Sequence, residues 1–324
     1  MNRPAATIII PVYNRADELF HVLEQLKRQS RHDFEVVVVD DGSTPPLTDA
    51  DLPENPPFDL RILHLETRCG IGKARNTGIA GAQAELFVFI DSDGDISDER
   101  WFEKHMDLHT RAGAMARTAH MPYYVFHSTV KGIGNSYWGR SDTFSNWFGS
   151  SMSRPCRIRD RHVPTHNTSA HRKVFEHVGL FDESLEVCED VEWSFRCLDE
   201  GVGLFYVPGA PVGHFDRNTF RDFWKHYYRF GLHALSVRQK HPRSAYQWLF
   251  PKGPLSAVAL FLPLTALMTV YVTCKWLPLK PQVLFYLPGL YLANIANYAG
   301  LVRSIFKYTT QKPGPGTIPP PPGP

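Results

Sequence analysis

Short apolar runs alternate with helical segments in the first hundred residues, and this alternation leaves few possible folds. Four runs have the uninterrupted hydrophobicity of buried strands: residues 6–12, 34–39, 60–65 and 86–90. A helical pattern follows Asn14, the expected cap, and places four apolar side chains on one face: Leu19, Val22, Leu23 and Leu26. A second helix is predicted over residues 72–84. This βαβαβ succession predicts a parallel sheet with helices on both faces.

Polar side chains stand where these strands end, which is where ligands of such sheets bind. Asp91 and Asp93 follow the fourth strand. Two carboxylates one residue apart can both reach one hard divalent cation, which would neutralise a departing diphosphate. A solvated acidic turn has the same spacing, but the position after the strand array favours a metal site. Asp40 and Asp41 follow the second strand, either in a capped turn or as acceptors for a base N–H or a ribose hydroxyl.

Two further charged positions leave alternatives open. Arg75 could face a diphosphate or lie on the surface of its helix. Glu189 and Asp190 precede the apolar stripe Val191, Phe195 and Leu198, which predicts a helix that begins near Glu189. An acidic pair at a helix N-terminus is stabilised there as a simple cap. It could also contain a general base that deprotonates an acceptor hydroxyl.

Taken together, these residues resemble the family 2 glycosyltransferases with the GT-A fold, over about residues 6–214. Six motifs occur in the family's order: Val12-Tyr13-Asn14, Asp40-Asp41-Gly42-Ser43, Ala74-Arg75-Asn76-Thr77-Gly78, Asp91-Ser92-Asp93, Gly179-Leu180-Phe181-Asp182-Glu183 and Glu189-Asp190. The resemblance implies a Rossmann-like α/β fold with a mixed sheet, as in nucleotide-diphospho-sugar transferases. It further implies an inverting enzyme that moves a sugar from a nucleoside-diphosphate sugar to a hydroxyl acceptor with a divalent metal, Mn²⁺ or Mg²⁺.

The resemblance also assigns residues to roles. Donor contacts are expected from eight positions: Pro11, Tyr13, Asn14, Asp40, Asp41, Arg75, Asp91 and Ser92. Tyr13 and Asp41 would meet the base. The metal ligands would be Asp91, Asp93 and His214, and the catalytic base would be Asp190. Glu189 and Trp193 would lie on the acceptor side.

Two departures from the family pattern matter. Gly94 follows the D-x-D triplet where relatives often have another acid, and Asp95 comes next, so the identity of the metal-holding carboxylate is open. The Q-x-x-R-W motif of processive synthases is absent after Asp190, which favours transfer of one sugar at a time. A metal-dependent nucleotidyltransferase is the main alternative, although no Gly-rich basic loop follows the first strand. A non-catalytic carbohydrate-binding membrane protein is another, and it leaves the ordered acidic motifs unexplained.

The C-terminal third has a different composition. Residues 253–274 and 281–302 each form 22-residue segments without a charge, about 33 Å long as helices, against a hydrocarbon core of about 30 Å. A tight transmembrane hairpin over residues 253–306 is the favoured interpretation, with a re-entrant or interfacial pair and buried soluble helices as alternatives. Seven Lys and Arg flank the two segments and two lie in the turn, which predicts a membrane protein with its catalytic domain on the cytoplasmic face.

The remaining chain completes the predicted organisation. Residues 1–117 form the nucleotide-sugar-binding half and 118–219 the acceptor-binding half, whose scattered aromatic residues indicate either irregular packing or a sugar-binding surface. Residues 220–252 form an amphipathic connecting helix, interfacial or simply packed, and residues 307–324 a Pro/Gly-rich disordered tail. A formal charge of +2 gives no sign of nucleic-acid binding, so the expected partners are the nucleotide sugar, a glycan or lipid-linked acceptor and the membrane. Five scattered cysteines are expected to be reduced thiols.

Overall fold

The computed structural model describes residues 3–310, which form two compact units: residues 3–131 with 150–214, and residues 132–149 with 215–310. The strands are β1 (Ala6–Val12), β2 (Phe34–Asp40), β3 (Asp59–His64), β4 (Leu86–Phe89), β5 (Gly94–Asp95), β6 (Tyr124–His127), β7 (Val130–Ile133), β8 (Cys156–Ile158), β9 (Thr168–His171), β10 (Gly203–Tyr206) and β11 (Val212–Phe215). The helices are α1 (Ala16–Lys27), α2 (Ile71–Gly81), α3 (Trp101–Thr118), α4 (Tyr137–Asn146), α5 (Arg172–Val178), α6 (Glu189–Asp199), α7 (Phe220–Lys240), α8 (Pro254–Trp276) and α9 (Leu287–Thr310).

The first unit is built on an eight-stranded mixed sheet in the order β3-β2-β1-β4-β9-β6-β10-β8. β1 is parallel to β2 and β4, whereas β9 is antiparallel to both β4 and β6. A small sheet has the order β5-β11-β7. The predicted α/β fold of the GT-A type, with a mixed sheet, is therefore confirmed.

Strand β1 explains why the sheet is stable and where its polar edge lies. Its side chains are buried on both faces, with Ile8 and Ile10 in one core cluster and Ile9 in another. Each such side chain contributes about 1.5–3 kcal/mol through burial. The parallel register pairs Val12 with Asp40, so the residues after β1 and β2 emerge at the same edge.

The first helix confirms one expectation and corrects another. Leu19, Val22, Leu23 and Leu26 all lie in the core, as the periodicity predicts. Asn14 does not cap this helix, because Arg15 occupies the N-cap position. The Asn14 side-chain oxygen instead accepts a hydrogen bond of 2.8 Å from the backbone N–H of Thr44, and so joins the ends of β1 and β2.

In the second unit, α7 and α9 pack with their backbones in close contact. A Cβ on Gly231 of α7 would overlap the carbonyl oxygen of Asn297, and one on Gly300 of α9 would overlap that of Tyr228. Phe223 and Tyr227 of α7 are buried in the same cluster as two alanines of α9. On this face the predicted amphipathic helix is thus a packing helix.

The short helix α4 also belongs to the second unit, although the sequence placed its residues in the acceptor-binding half. The indole of Trp276 in α8 donates a hydrogen bond of 2.7 Å to the carbonyl of Phe144. Gly289 of α9 approaches Ser141 so closely that a Cβ would overlap its hydroxyl. These contacts explain why residues 132–149 cluster with the C-terminal helices.

The structure supports the first of the two predicted membrane spans, and the second stays a prediction. Within residues 3–310, α8 is the one helix long and apolar enough to cross a membrane, with 23 residues, a mean hydropathy of 2.0 and 22% of its apolar window buried. Residues 281–286 instead form a 3-10 turn, and α9 continues through the charged residues Arg303 and Lys307. Of the predicted disordered tail, residues 307–310 are helical, and residues 311–324 lie outside the described part of the chain.

Candidate active site

Three predicted metal ligands lie together at the polar edge of the first unit. Asp91 and Asp93 follow β4, and His214 lies in β11, which pairs with β5 so that His214 is opposite Gly94. One ligand atom from each of Asp91, Asp93 and His214 lies within 4.8 Å of the other two. The Nε2 atom of His214 is 3.7 Å from a carboxylate oxygen of Asp93.

The chemistry of this cluster fits a divalent cation. Two carboxylates and one imidazole are ligand types that Mn²⁺ and related metals accept. Burial alone would raise the pKa of Asp93, but His214, Arg15 and His166 together lower it below its usual range. Asp93 is therefore ionised, as a metal ligand must be.

Asp95, the other carboxylate near the triplet, contacts side chains of α1. It accepts a hydrogen bond of 2.5 Å from the side-chain amide of Gln25 on α1. It also lies 3.5 Å from the His21 ring. Asp95 is thus engaged by α1, which favours Asp93 as the second carboxylate of the site.

His166 also belongs to this site, although no sequence motif indicates it. Its Nδ1 accepts a hydrogen bond of 3.0 Å from the backbone N–H of Asp91, and its Nε2 lies 3.1 Å from the carbonyl of Gly213. Burial lowers the pKa of His166, so the ring is neutral and donates its Nε2 proton. The imidazole thereby fixes the D-x-D turn against β11. Its only sequence signal is a position just before β9.

Arg75 connects the D-x-D turn to the acidic pair of α6. Its side chain is only 2% exposed, so the surface-helix alternative is wrong. The guanidinium donates to a carboxylate oxygen of Asp91 at 2.9 Å and also to Glu189. Burial opposes the charged guanidinium, but Glu189, Asp91 and Asp190 raise the pKa of Arg75. The arginine is therefore a buried cation held among carboxylates.

The two residues predicted on the acceptor side, Glu189 and Trp193, are both buried. Glu189 is buried and bound to Arg75, so it has little surface to offer an acceptor. Trp193 is fully buried, stacked on Phe175 with ring centroids 4.8 Å apart. Its indole N–H donates to the carbonyl of Gly179 at 3.1 Å. The helical period explains this, since α6 turns Trp193 into the core.

Asp190 lies in the first turn of α6, as predicted. Cys188 precedes the helix in a left-handed conformation with φ 68°, and one Asp190 oxygen accepts from the N–H of Val191 at 2.8 Å. Burial is the main cause that raises the pKa of Asp190 to about 6, with Arg75 opposing and Asp91 reinforcing the shift. Burial likewise raises the pKa of Glu189. A carboxylate whose pKa lies closer to neutrality is a better proton acceptor than an ordinary aspartate.

Tyr13 and Asp41 border the expected nucleotide side. The Tyr13 ring is 38% exposed, and the guanidinium of Arg68 lies 4.7 Å from its centroid. The Asp41 carboxylate accepts hydrogen bonds from the backbone N–H groups of Cys69 at 2.7 Å and Gly70 at 2.9 Å. Arg68, which the sequence did not single out, thus joins Tyr13 in an exposed cationic and aromatic surface.

Three other predicted donor contacts are buried. Asp40 is 1% exposed and accepts hydrogen bonds from the backbone N–H groups of Ser43 at 2.9 Å and Leu47 at 3.0 Å. This supports the capped-turn alternative and makes Asp40 a structural residue. Pro11 is buried within β1 and Ser92 within the D-x-D turn, so neither presents a surface to a donor.

Known proteins resemble this chain in sequence and fold. The family model described as Glycosyl transferase family 2 matches residues 7–179. The pre-mycofactocin glycosyltransferase of Mycobacterium tuberculosis H37Rv is 28% identical over 260 residues, which cover 78% of this chain and 51% of that protein. The chain therefore spans about half the length of this mycobacterial relative.

Two further similarities extend the comparison. The glycosyltransferase AglE of Haloferax volcanii is 28% identical over 230 residues, 67% of this chain and 71% of that protein. A solved mannosyltransferase from Pyrobaculum calidifontis, in complex with GDP-Man and Mn²⁺, has a TM-score of 0.57 at 17% identity. It aligns over 92% of this chain and 88% of that chain, a likeness of fold.

Proposed function

Because the chain belongs to glycosyl transferase family 2 and is a glycosyltransferase, we propose that it transfers a single sugar, with inversion, from a nucleoside-diphosphate sugar to a hydroxyl group of a glycan or lipid-linked acceptor. The observation that carries this proposal is the buried Arg75, which contacts both Asp91 of the predicted metal site and Glu189 beside Asp190. A carboxylate with a raised pKa is thereby held near a cluster suited to a metal and a diphosphate.

We assign the donor to the edge formed by the ends of β1, β2 and β4. The exposed Tyr13 ring, with Arg68 beside it, offers a face for a nucleotide base. Asp91, Asp93 and His214 would hold a divalent cation such as Mn²⁺ or Mg²⁺, which when bound neutralises charge on the diphosphate. The mannosyltransferase with the same fold binds GDP-Man and Mn²⁺, the same two classes of ligand.

The reaction proposed for these residues is one displacement. Asp190 accepts the proton of the acceptor hydroxyl, and the acceptor oxygen forms a bond to the anomeric carbon of the sugar. The bond between that carbon and the diphosphate oxygen breaks, and its electron pair leaves with the nucleoside diphosphate. A single attack from the opposite face inverts the anomeric configuration.

We further propose that α8 attaches the enzyme to a membrane. Leu255 is 90% exposed, and Val258, Leu262 and Val270 on the same helix are more than half exposed. Contiguous apolar surface of this kind favours lipid over water.

The test is to incubate the full chain with a panel of nucleotide sugars and Mn²⁺ and to identify the products. Release of nucleoside diphosphate with transfer of the sugar supports the proposal. A parallel incubation supplies a nucleoside triphosphate and a sugar 1-phosphate. Release of inorganic diphosphate with formation of a nucleotide sugar there would establish the nucleotidyltransferase alternative instead. Binding of donor or glycan without turnover of any donor would support the non-catalytic alternative.

A further inference from the structure

The charged residues are distributed very unevenly along the chain. The 102 residues that follow Asp222 contain no Asp or Glu, but they contain 11 Lys and Arg. The first 222 residues hold the other 24 Lys and Arg together with all 33 Asp and Glu, which gives them a formal charge of −9. The C-terminal region is therefore a strongly basic segment of the sequence.

Three of these cations line one cavity of the second unit. The cavity has a volume of about 640 Å³ and lies between the end of α7, the connection to α8 and the end of α9. Its lining includes Arg238, Arg243 and Lys252 together with the aromatic residues Tyr246, Trp248 and Phe250. Within residues 3–310, no carboxylate side chain contributes to this lining.

Arg238 is the fixed cation of the cavity. It donates hydrogen bonds to the hydroxyl of Ser244 at 2.8 Å and to the carbonyl of Ala245 at 2.7 Å. Its guanidinium lies 5.9 Å from the centroid of the Phe250 ring. Burial lowers the pKa of Arg238 from its usual value, because the charge is partly removed from water. A bound anion would offset that unfavourable burial.

The cavity opens beside the apolar helix. Lys252 is two residues before α8, and Leu255 in the first turn of α8 is 90% exposed. Trp248 is 77% exposed. Exposed tryptophan, tyrosine and basic side chains beside an apolar helix are typical of the level at which lipid headgroups lie. Anionic headgroups attract basic clusters there by about 1 kcal/mol for each Lys or Arg.

We propose that this cavity binds the phosphate headgroup of an anionic membrane lipid, with Arg238, Arg243 and Lys252 around the phosphate and Trp248 among the upper acyl chains. This proposal goes beyond the proposed transfer reaction and does not depend on it. The lipid is a docking ligand that sets the depth of α8, not the sugar acceptor.

The binding experiment uses the full chain in a neutral detergent. Its unfolding temperature is measured against increasing concentrations of short-chain phosphatidylglycerol, of phosphatidylcholine with the same acyl chains, and of inorganic phosphate. A ligand that binds the folded state raises the unfolding temperature with concentration. Phosphatidylglycerol is expected to raise it at concentrations at which the other two do not.

A pair of matched variants locates the site. Arg243→Gln with Lys252→Gln removes two exposed cations of the cavity, whereas Arg221→Gln with Lys225→Gln removes two exposed cations of the same types from the start of α7. The first pair is expected to weaken the binding of phosphatidylglycerol by roughly tenfold to thirtyfold. The second pair is expected to leave the binding nearly unchanged. In the absence of lipid, both variants should unfold at the temperature of the parent chain, because the removed groups are exposed.

Three results would overturn the proposal. Equal weakening by both pairs of substitutions would mean that overall charge, not the cavity, attracts the lipid. An equal effect of inorganic phosphate would assign the cavity to a soluble phosphate. An equal effect of phosphatidylcholine would show that the cavity does not recognise the negative charge of the headgroup. None of these results bears on donor turnover, so the proposed function is tested separately.

Discussion

The two ends of this chain use charge in opposite ways. In the first unit, carboxylates and cations are buried against one another, as with Arg75 between Asp91 and Glu189. After Asp222, cations occur without any carboxylate, and Arg243 and Lys252 are exposed. Buried pairing fixes side chains in one arrangement for chemistry, whereas surface charge of a single sign attracts a partner of opposite sign.

The largest effect is expected from Asp190→Asn, which removes the proposed base but keeps its size. Turnover should fall by about 10²–10⁴, the usual contribution of a positioned proton acceptor. Donor affinity should change little. Asp199→Asn, at the other end of α6, is the matched control and should retain activity. Turnover of Asp190→Asn above a tenth of the parent value would mean that another group is the base.

Asp93→Asn should abolish the metal-dependent part of donor binding. The variant lacks one charged ligand beside Asp91 and His214, so the cation that would neutralise the diphosphate is held less tightly. Isothermal titration of the donor with and without Mn²⁺ measures this. Asp95→Asn is the control, since Asp95 is engaged by α1. A larger loss in Asp95→Asn than in Asp93→Asn would move the metal site.

Arg75→Met should destabilise the fold by about 3–5 kcal/mol, because two carboxylates lose their buried cation. The free energy of unfolding in urea measures the effect. Adding Glu189→Met to the same chain should restore part of the stability. Arg100→Gln, in an exposed pair with Glu103, should show no measurable change. Equal stability of Arg75→Met and the parent chain would contradict a buried, paired arginine.

A smaller and graded effect is expected from pH. Asp190 must be ionised to accept a proton, and its pKa is raised to about 6, so turnover should fall as the pH drops through that value. The free energy of unfolding depends on pH in the opposite direction. A carboxyl group with a raised folded-state pKa is more easily accommodated in its protonated form, so its ionisation destabilises the fold as the pH rises from about 4 to 6.

Asp190→Asn separates the two pH effects. At neutral pH this variant should unfold at a higher temperature than the parent chain although it is inactive. A lower unfolding temperature at neutral pH, with the fold intact by circular dichroism, would show that the carboxylate is not destabilised by its burial.

Sequence patterns predicted the regular part of the first unit well. An uninterrupted apolar run predicts strand β1. The helical spacing of the apolar residues predicts the buried face of α1. The antiparallel strand β9 has no apolar pattern that would predict a buried strand, because its Thr168 and Ser169 are polar yet fully buried. They are accommodated through hydrogen bonds to His127 and His105, partners far away in the sequence. Periodicity carries no information about such pairings.

The candidate site was likewise predicted in part, by the positions of its residues along the chain but not by their surroundings. The apolar runs of the sequence show where strands end, and this predicted the acidic site residues. In the structure Asp91, Asp93 and His214 do lie together. The sequence does not show which groups surround each of these side chains in the fold. Trp193 is buried against Phe175, and Arg75 is buried because it pairs with Asp91 and with Glu189, which is 114 residues away in the sequence. His166 and Arg68 act through positions that no local pattern distinguishes.

The hydrogen bonds of His166 have a consequence for how the protein forms during synthesis. They join Asp91 to Gly213 through a ring that is 75 residues from the first and 47 from the second. Closing such long loops is slow, because chain entropy is lost before the contacts form. A ribosome that has just passed Asp93 has made both carboxylates of the D-x-D triplet, but not His166 and Gly213, which hold the turn in place. The nascent chain can therefore acquire a metal-binding geometry only after β11 has left the exit tunnel.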